Sequence, residues 1–229
     1  VTDPIGELQA TYLAALRHGD EAAARAAIAA ARAAGLPPAR IYYEIFAPCM
    51  IQIGELWERN AITVAEEHLA TAITGRLIAQ LSPSFDRPAA QGKPGTALIG
   101  CVAGEQHALG AQMLTDLFRA QGWRVLFLGA DVPNADWTRL ATRFNADLAA
   151  LSASLDQHLP AVAAVIRDLR AALPRIMVLV GGAAFGRDPE RWRNVRADLY
   201  HPDPQTAVAI ATARFALEGS RRDAESPMK

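Results

Sequence analysis

Two cysteines in 229 residues leave little room for cysteine chemistry. Cys49 and Cys101 fall in separate apolar segments, with neither zinc-ligand spacing nor the pattern of a disulfide framework. Net charge is also scarce: 23 Lys and Arg against 24 Asp and Glu leave −1. Nothing electrostatic therefore points to nucleic acid or an anionic membrane as a direct partner. No apolar run is long enough to span a bilayer. The start, Val1-Thr-Asp-Pro-Ile-Gly-Glu7, lacks the basic stretch and apolar core of a signal peptide, so a cytoplasmic address is the economical expectation. Missing too are a Ser-His-Asp arrangement with supporting context and a glycine-rich phosphate loop, and an independent catalyst is not expected.

What is present is an ordinary globular composition, 51% hydrophobic and 21% charged, in a chain long enough for two small domains or one large one. Its organisation changes near residue 82. Residues 1–81 read as helices alone. Asp3-Pro4 caps a first helix to about Arg17, and His18-Gly19-Asp20 breaks and recaps the chain for a second, Glu21 to Ala34. Pro37-Pro38 opens a third, running to Leu56-Trp57, which Pro48 should kink or divide. Thr63-Val-Ala-Glu66 is a capping box for a fourth, to about Leu81. The expectation is a four-helix bundle.

Residues 82–95 have linker composition, rich in Pro, Gly and Ser. From 96 to 229 short apolar runs alternate with helical stretches. Strands are expected at Ala97–Val102, Val125–Leu128, Leu148–Ala153, Ile176–Val180 and, more weakly, Ala197–Tyr200. That alternation predicts an α/β domain, a doubly wound five-stranded parallel sheet of Rossmann or flavodoxin type. No internal repeat is visible.

In such a sheet, ligands bind beyond the carboxyl ends of the strands, near the point where strand order reverses. The loop after the first strand holds Glu105-Gln106-His107, with Gly110 in the helix that follows. It offers an imidazole beside a carboxylate. One His holds a bare ion poorly, so a metal there should arrive inside a macrocycle that fills its equatorial positions. Ser152 and Ser154 end the third strand and Gly181-Gly182 follow the fourth, all on the same rim. Upstream, Trp57 is followed after nine residues by Glu67-His68. Each feature has a plain reading as well: a helix-start histidine, a tight glycine turn, small polar loop residues, bundle core for Trp57 and a solvated face for Glu67-His68.

The Glu-x-His-x-x-Gly loop, the serines and the Gly-Gly pair resemble the cobalamin-binding domain of methionine synthase and corrinoid proteins. The resemblance runs from about residue 40 onward. It implies that His107 replaces the cofactor's dimethylbenzimidazole as lower axial cobalt ligand, and that the displaced nucleotide tail runs past the serine and glycine positions. The family's loop commonly begins with Asp, where this chain has Glu105. The Trp57…Glu67-His68 pattern resembles the helical lid of CarH-like and LitR-like light-sensing cobalamin repressors, and of short AerR-like antirepressors. It implies that these three residues meet the adenosyl group of adenosylcobalamin.

Two departures stand out. The residue beside Trp57 is Glu58, where those repressors often have a His, and the basic DNA-binding segment they begin with is not found here. The expectation is therefore a stand-alone cobalamin photoreceptor, not an enzyme, self-associating and acting through an effector protein or transcription factor without touching DNA or membrane. Some relatives carry a bilin as second chromophore. Arg187, Arg191, Arg193 and Arg196 could meet its propionates, though a solvated helix face is the plainer reading. The alternative is a corrinoid carrier serving a methyltransferase, and a third class is a cofactor-free interaction protein.

Overall fold

Side chains at segment boundaries determine where the helices of the first part begin. The computed structural model describes residues 4–86, 95–188 and 190–225, with side chains through residue 217. It divides into two units, Val1–Phe85 and Asp86–Lys229. The first unit carries α1 (Pro4–Arg17), α2 (Glu21–Ala33), α3 (Pro38–Ile41), α4 (Ala47–Glu58) and α5 (Val64–Leu81). Asp20 caps α2 by accepting the Ala23 N–H at 2.9 Å. The Thr63 box forms both ways: Glu66 N–H donates to the Thr63 hydroxyl at 3.2 Å, and Thr63 N–H donates to the Glu66 carboxylate at 2.7 Å. The expected Asp3 cap lies outside the described residues.

The third helix, which Pro48 was expected to kink or divide, is interrupted just before that proline. A π-helical turn, Tyr42–Phe46, joins α3 to α4, and Pro48 sits in the first turn of α4. In an uninterrupted α-helix, residue 48 would donate to the Glu44 carbonyl, which proline cannot do. Gln9 of α1 supplies the missing donor, its side-chain N–H lying 2.5 Å from that oxygen. The bundle interior is aromatic: Tyr12 lies against Phe46 and Tyr42 against Phe85, at ring separations of 5.3 and 5.0 Å. A buried hydroxyl pair, Tyr12 with Thr74, is 2.9 Å apart.

The second unit holds a parallel sheet of four strands: β1 (Thr96–Val102), β2 (Arg124–Val132), β3 (Leu148–Ser152) and β4 (Met177–Gly181), in the order β2-β1-β3-β4. Between them come α6 (Leu109–Ala120), α7 (Asn134–Phe144) and α8 (Leu159–Ala172), followed by the short α9 (Ala183–Gly186) and α10 (Arg191–Asn194), and by α11 (Pro204–Glu225). Every residue of central β1 is buried, as expected for a strand covered on both faces. Edge strand β2 is partly exposed and slips register against β1 around Gly100, where Gly129 takes a φ of +81°.

The expected fifth strand, Ala197–Tyr200, is reduced to one bridge, Leu199 to Leu179. Asp198 explains the truncation. Its carboxylate takes the Val178 N–H at 2.7 Å, and Arg196 just before it adopts a left-handed φ of +61°. Of the expected linker, residues 87–94 lie outside the described residues, as does Pro189, while Ser82–Phe85 forms a 3-10 turn. Among the described residues no helix is long and apolar enough to cross a membrane.

Replacing Gln9 with Leu should strip the Glu44 carbonyl of its donor and cost about 1 kcal/mol. Urea unfolding followed by circular dichroism checks this, and an unchanged midpoint would remove Gln9 from the account of the π turn.

Candidate functional site

Strand order reverses between β1 and β3, and the two loops leaving those strands build one buried charge cluster. β1 ends at Val102, and Gly104 turns the chain with a φ of +85°, a conformation that glycine adopts without steric cost. At the end of β2, Asp131 holds that turn. Its carboxylate accepts the Gly104 N–H at 2.7 Å, and its own N–H donates to the Glu105 carbonyl at 2.9 Å. Asp131 itself adopts a φ of +52°.

Glu105 is then directed inward and is fully buried, at 0% exposure. Its Oε1 accepts the backbone N–H of His107 at 2.8 Å and the ring Nδ1–H of His107 at 2.5 Å. Its Oε2 accepts the backbone N–H of Ser154 and, at 3.1 Å, the Nδ1–H of His158. Burial pushes the Glu105 carboxyl upward, but the His107 ring, the His107 and Ser154 N–H groups and the charge of His107 outweigh it, holding the group at about 2. An ionised carboxylate only accepts hydrogen bonds, so both imidazoles must carry their proton on Nδ1. In its neutral form His107 then has Nε2 as the atom with a lone pair, on a ring whose side chain is 57% exposed.

The other rim residues divide by role. Gly110, in the first turn of α6, and Gly181 both border open space, with nothing within 4 Å of where a Cβ would stand. Gly182 is different: at φ +95°, a Cβ there would lie 2.3 Å from the Ala153 carbonyl oxygen. It is packing, not clearance. Ser152 pairs in register with Gly181, and Ser154 reaches Glu105 through its backbone.

In the helical unit, Trp57 is 45% exposed, so it is not bundle core. Glu67 bridges two neighbours, with His68 Nδ1 at 2.6 Å on one oxygen and the Thr71 hydroxyl at 2.8 Å on the other.

Two residues escape the sequence reading. His158 looks like a helix start, and it does precede α8 directly, yet its place just beyond β3 was the cue to the rim. Asp131 had the same cue at the end of β2. His201 serves a local turn, accepting the Asp203 N–H at 3.0 Å. Arg187 and Arg191 converge on Asp156, Arg191 through two bonds of 2.6 and 2.9 Å and Arg187 at 3.1 Å. Arg193 lies over the Trp192 ring and pairs with Glu190.

Among the described residues, no group of three or more His, Cys, Asp or Glu is arranged to hold a bare metal ion. One exposed imidazole backed by a buried carboxylate offers a single nitrogen donor. With open space at Gly110 and Gly181, it fits a metal that brings its own equatorial ligands.

Two measurements follow. Because Glu105 is held below its ordinary 4.5, its contribution to stability is present above that pH and lost as pH falls toward about 2. The stability difference between wild type and Glu105→Gln should shrink across that window in denaturant titrations, and a pH-independent difference would contradict it. Gly182→Ala should cost roughly 2 kcal/mol or more, whereas Gly181→Ala should stay within about 1 kcal/mol. Equal losses at the two positions would remove the distinction.

Residues 95–211 match a B12 binding domain, and residues 8–82 match a second B12 binding domain. The HTH-type transcriptional repressor CarH of Myxococcus xanthus is 33% identical over 153 residues, covering 66% of this chain and 50% of CarH, so the match spans about half that relative's length. Dimethylamine corrinoid protein 1 of Methanosarcina acetivorans is 28% identical over 184 residues, covering 79% of this chain and 85% of that protein. The structure of the Methanosarcina barkeri monomethylamine corrinoid protein superposes with a TM-score of 0.79 at 19% identity, covering 91% of this chain and 99% of that one, a likeness of fold. The chain belongs to the family of B12-binding domain proteins and is similar to CarH.

Proposed function

We propose that this chain binds adenosylcobalamin with His107 as the lower axial cobalt ligand and serves as a light-responsive regulator. The observation that carries the cobalamin part of this reading is the Glu105–His107 pair, in which a buried anion fixes the tautomer and aim of one exposed imidazole. A bound adenosylcobalamin supplies a cobalt–carbon bond that visible light breaks. His107 would present Nε2, while Gly110 and Gly181 leave clearance and Ser152, Ser154 and Gly182 line the strand ends where the nucleotide tail would run.

Trp57, Glu67 and His68 would receive the adenosyl group, the exposed indole as a flat apolar surface and the carboxylate as acceptor for ribose hydroxyls. On illumination these residues would lose their partner, and the helical unit would change its packing. Self-association or the binding of an effector protein would follow that change, in the cytoplasm and without catalysis by this chain. A bilin as second chromophore is not supported by its candidate residues, since Arg187 and Arg191 are engaged by Asp156.

A second reading is a corrinoid carrier whose partner is a methyltransferase. It is favoured by the likeness to the dimethylamine and trimethylamine corrinoid proteins of Methanosarcina. The exposed Trp57 favours the sensor, because a carrier needs an open upper face for methyl transfer.

The deciding experiment is an absorption spectrum and gel filtration of the protein with adenosylcobalamin, in the dark and after green light. A bound spectrum that changes on illumination together with a change in size is expected. Binding with no light-dependent change in size would move the assignment to the carrier, and no binding would end both. Trp57→Ala should keep cobalamin binding but slow or misdirect the light response. His107→Ala should change the spectrum of the bound cofactor.

A further inference from the structure

Inside a helix, a threonine hydroxyl commonly turns back onto the carbonyl four residues earlier. Thr11, Thr74 and Thr115 do so, donating to the Glu7, Ala70 and Ala111 carbonyl oxygens at 2.9, 2.9 and 3.1 Å. Thr71 of α5 spends its hydroxyl differently. It donates to a side chain, the Glu67 carboxylate one turn back, at 2.8 Å.

That carboxylate is held at both oxygens. Oε1 accepts the Thr71 hydroxyl, and Oε2 lies 2.6 Å from His68 Nδ1. A carboxylate turns easily about its terminal bond, so a single donor on one oxygen leaves the other free to swing. The His68 side chain is 73% exposed and that of Glu67 only 19%, so the hold from the imidazole is the looser of the two. Thr71 is half-buried, and its β-branched side chain has few rotamers open to it in a helix. An ionised carboxylate offers about four lone-pair sites. With one donor on each oxygen, each keeps room for one more.

We infer that Thr71 is a positioning residue for the upper ligand: by holding Oε1 of Glu67, it sets the carboxylate plane so that both oxygens can receive the neighbouring hydroxyls of a ribose. This rests on the reading of Glu67 as acceptor for the adenosyl ribose. An acidic side chain on ribose hydroxyls is a recurring way to recognise a nucleoside sugar, and a diol engages both oxygens only when both are aimed together. Thr71 has no contact with the ligand in this role and acts through Glu67 alone. What it confers is selection among upper groups, because an adenosyl group carries the diol and a methyl group does not.

The test is equilibrium binding of the full chain, in the dark, to adenosylcobalamin and to methylcobalamin. Wild type should prefer adenosylcobalamin, and Glu67→Ala should lose the preference. Thr71→Val keeps the shape and removes the donor. It should weaken adenosylcobalamin binding roughly tenfold, the size of one hydrogen bond to a charged group, and leave methylcobalamin binding unchanged. Thr71→Ser should restore the wild-type preference. With 2′-deoxyadenosylcobalamin, which lacks one of the two hydroxyls, the loss in Thr71→Val should largely vanish.

A Thr71 that only stabilised α5 would shift thermal stability and move both affinities together. Equal losses for the two cobalamins, no loss in Thr71→Val, or an undiminished loss with the 2′-deoxy compound therefore overturns the inference and leaves the Glu67 assignment standing. If circular dichroism shows that the Val variant does not fold, Thr71→Ala against Thr71→Ser decides, and equal adenosylcobalamin affinities in those two overturn it. No preference in wild type, or one that survives in Glu67→Ala, removes the Glu67 assignment and this inference together. Binding of neither cobalamin by wild type ends the cobalamin reading itself.

Discussion

Burying one negative charge is the demand around which the sheet unit is arranged. A carboxylate taken out of water is tolerated only when hydrogen-bond donors replace its solvent, and Glu105 has four. No single segment provides them. The turn at Gly104 brings in His107, and the end of β3 brings in Ser154 and His158. Asp131, from β2, holds the backbone on which the carboxylate is mounted. Three of the four strands thus end in residues committed to one side chain. Cys101, immediately beneath on β1, is pushed to about 12 by its burial and by the nearby Glu105 charge, and is therefore an inert neighbour.

This arrangement accounts for what the sequence discloses and what it conceals. Glu105 and His107 stand two positions apart, so their pairing is local and legible without a fold. The Thr63 box is legible for the same reason. Trp57 was open between core and surface, and only its solvent exposure removes the core reading. His158 was hidden because its partner lies 53 positions away and meets it only once β1 and β3 run side by side. Ser154 stood out as a small polar residue at a strand end, yet what reaches Glu105 is its amide, which every residue but proline carries. The fifth strand failed for a related reason: the apolar pattern of Ala197–Tyr200 was visible, but not that Asp198 would claim the ladder position at Val178. Pro48 announced a disturbance, and its remedy, a π turn with Gln9 as outside donor, involves a residue of another helix.

The light-sensor and carrier readings differ in the helical unit, not in the sheet unit. Both need an imidazole held in one tautomer by an anion, and both are compatible with clearance at Gly110 and Gly181. What separates them is whether the exposed indole and the Glu67–His68 pair are contact surface for a large upper group. The sheet unit accordingly holds an imidazole with a close internal rationale, and the helical unit holds exposed side chains whose role depends on what they would touch.

The conformation of β2 has a consequence beyond the site. As an edge strand it presents backbone groups that another chain could pair with, and flat, regular edges invite sheet-to-sheet aggregation. Here the edge is irregular. Gly129 and Asp131 both take positive φ values, and the register against β1 slips around Gly100. A second strand approaching from outside would meet a bent ladder that offers no continuous run of partners. The left-handed turn at Asp131 that steadies the Gly104–Glu105 backbone therefore also guards the β2 edge of the sheet.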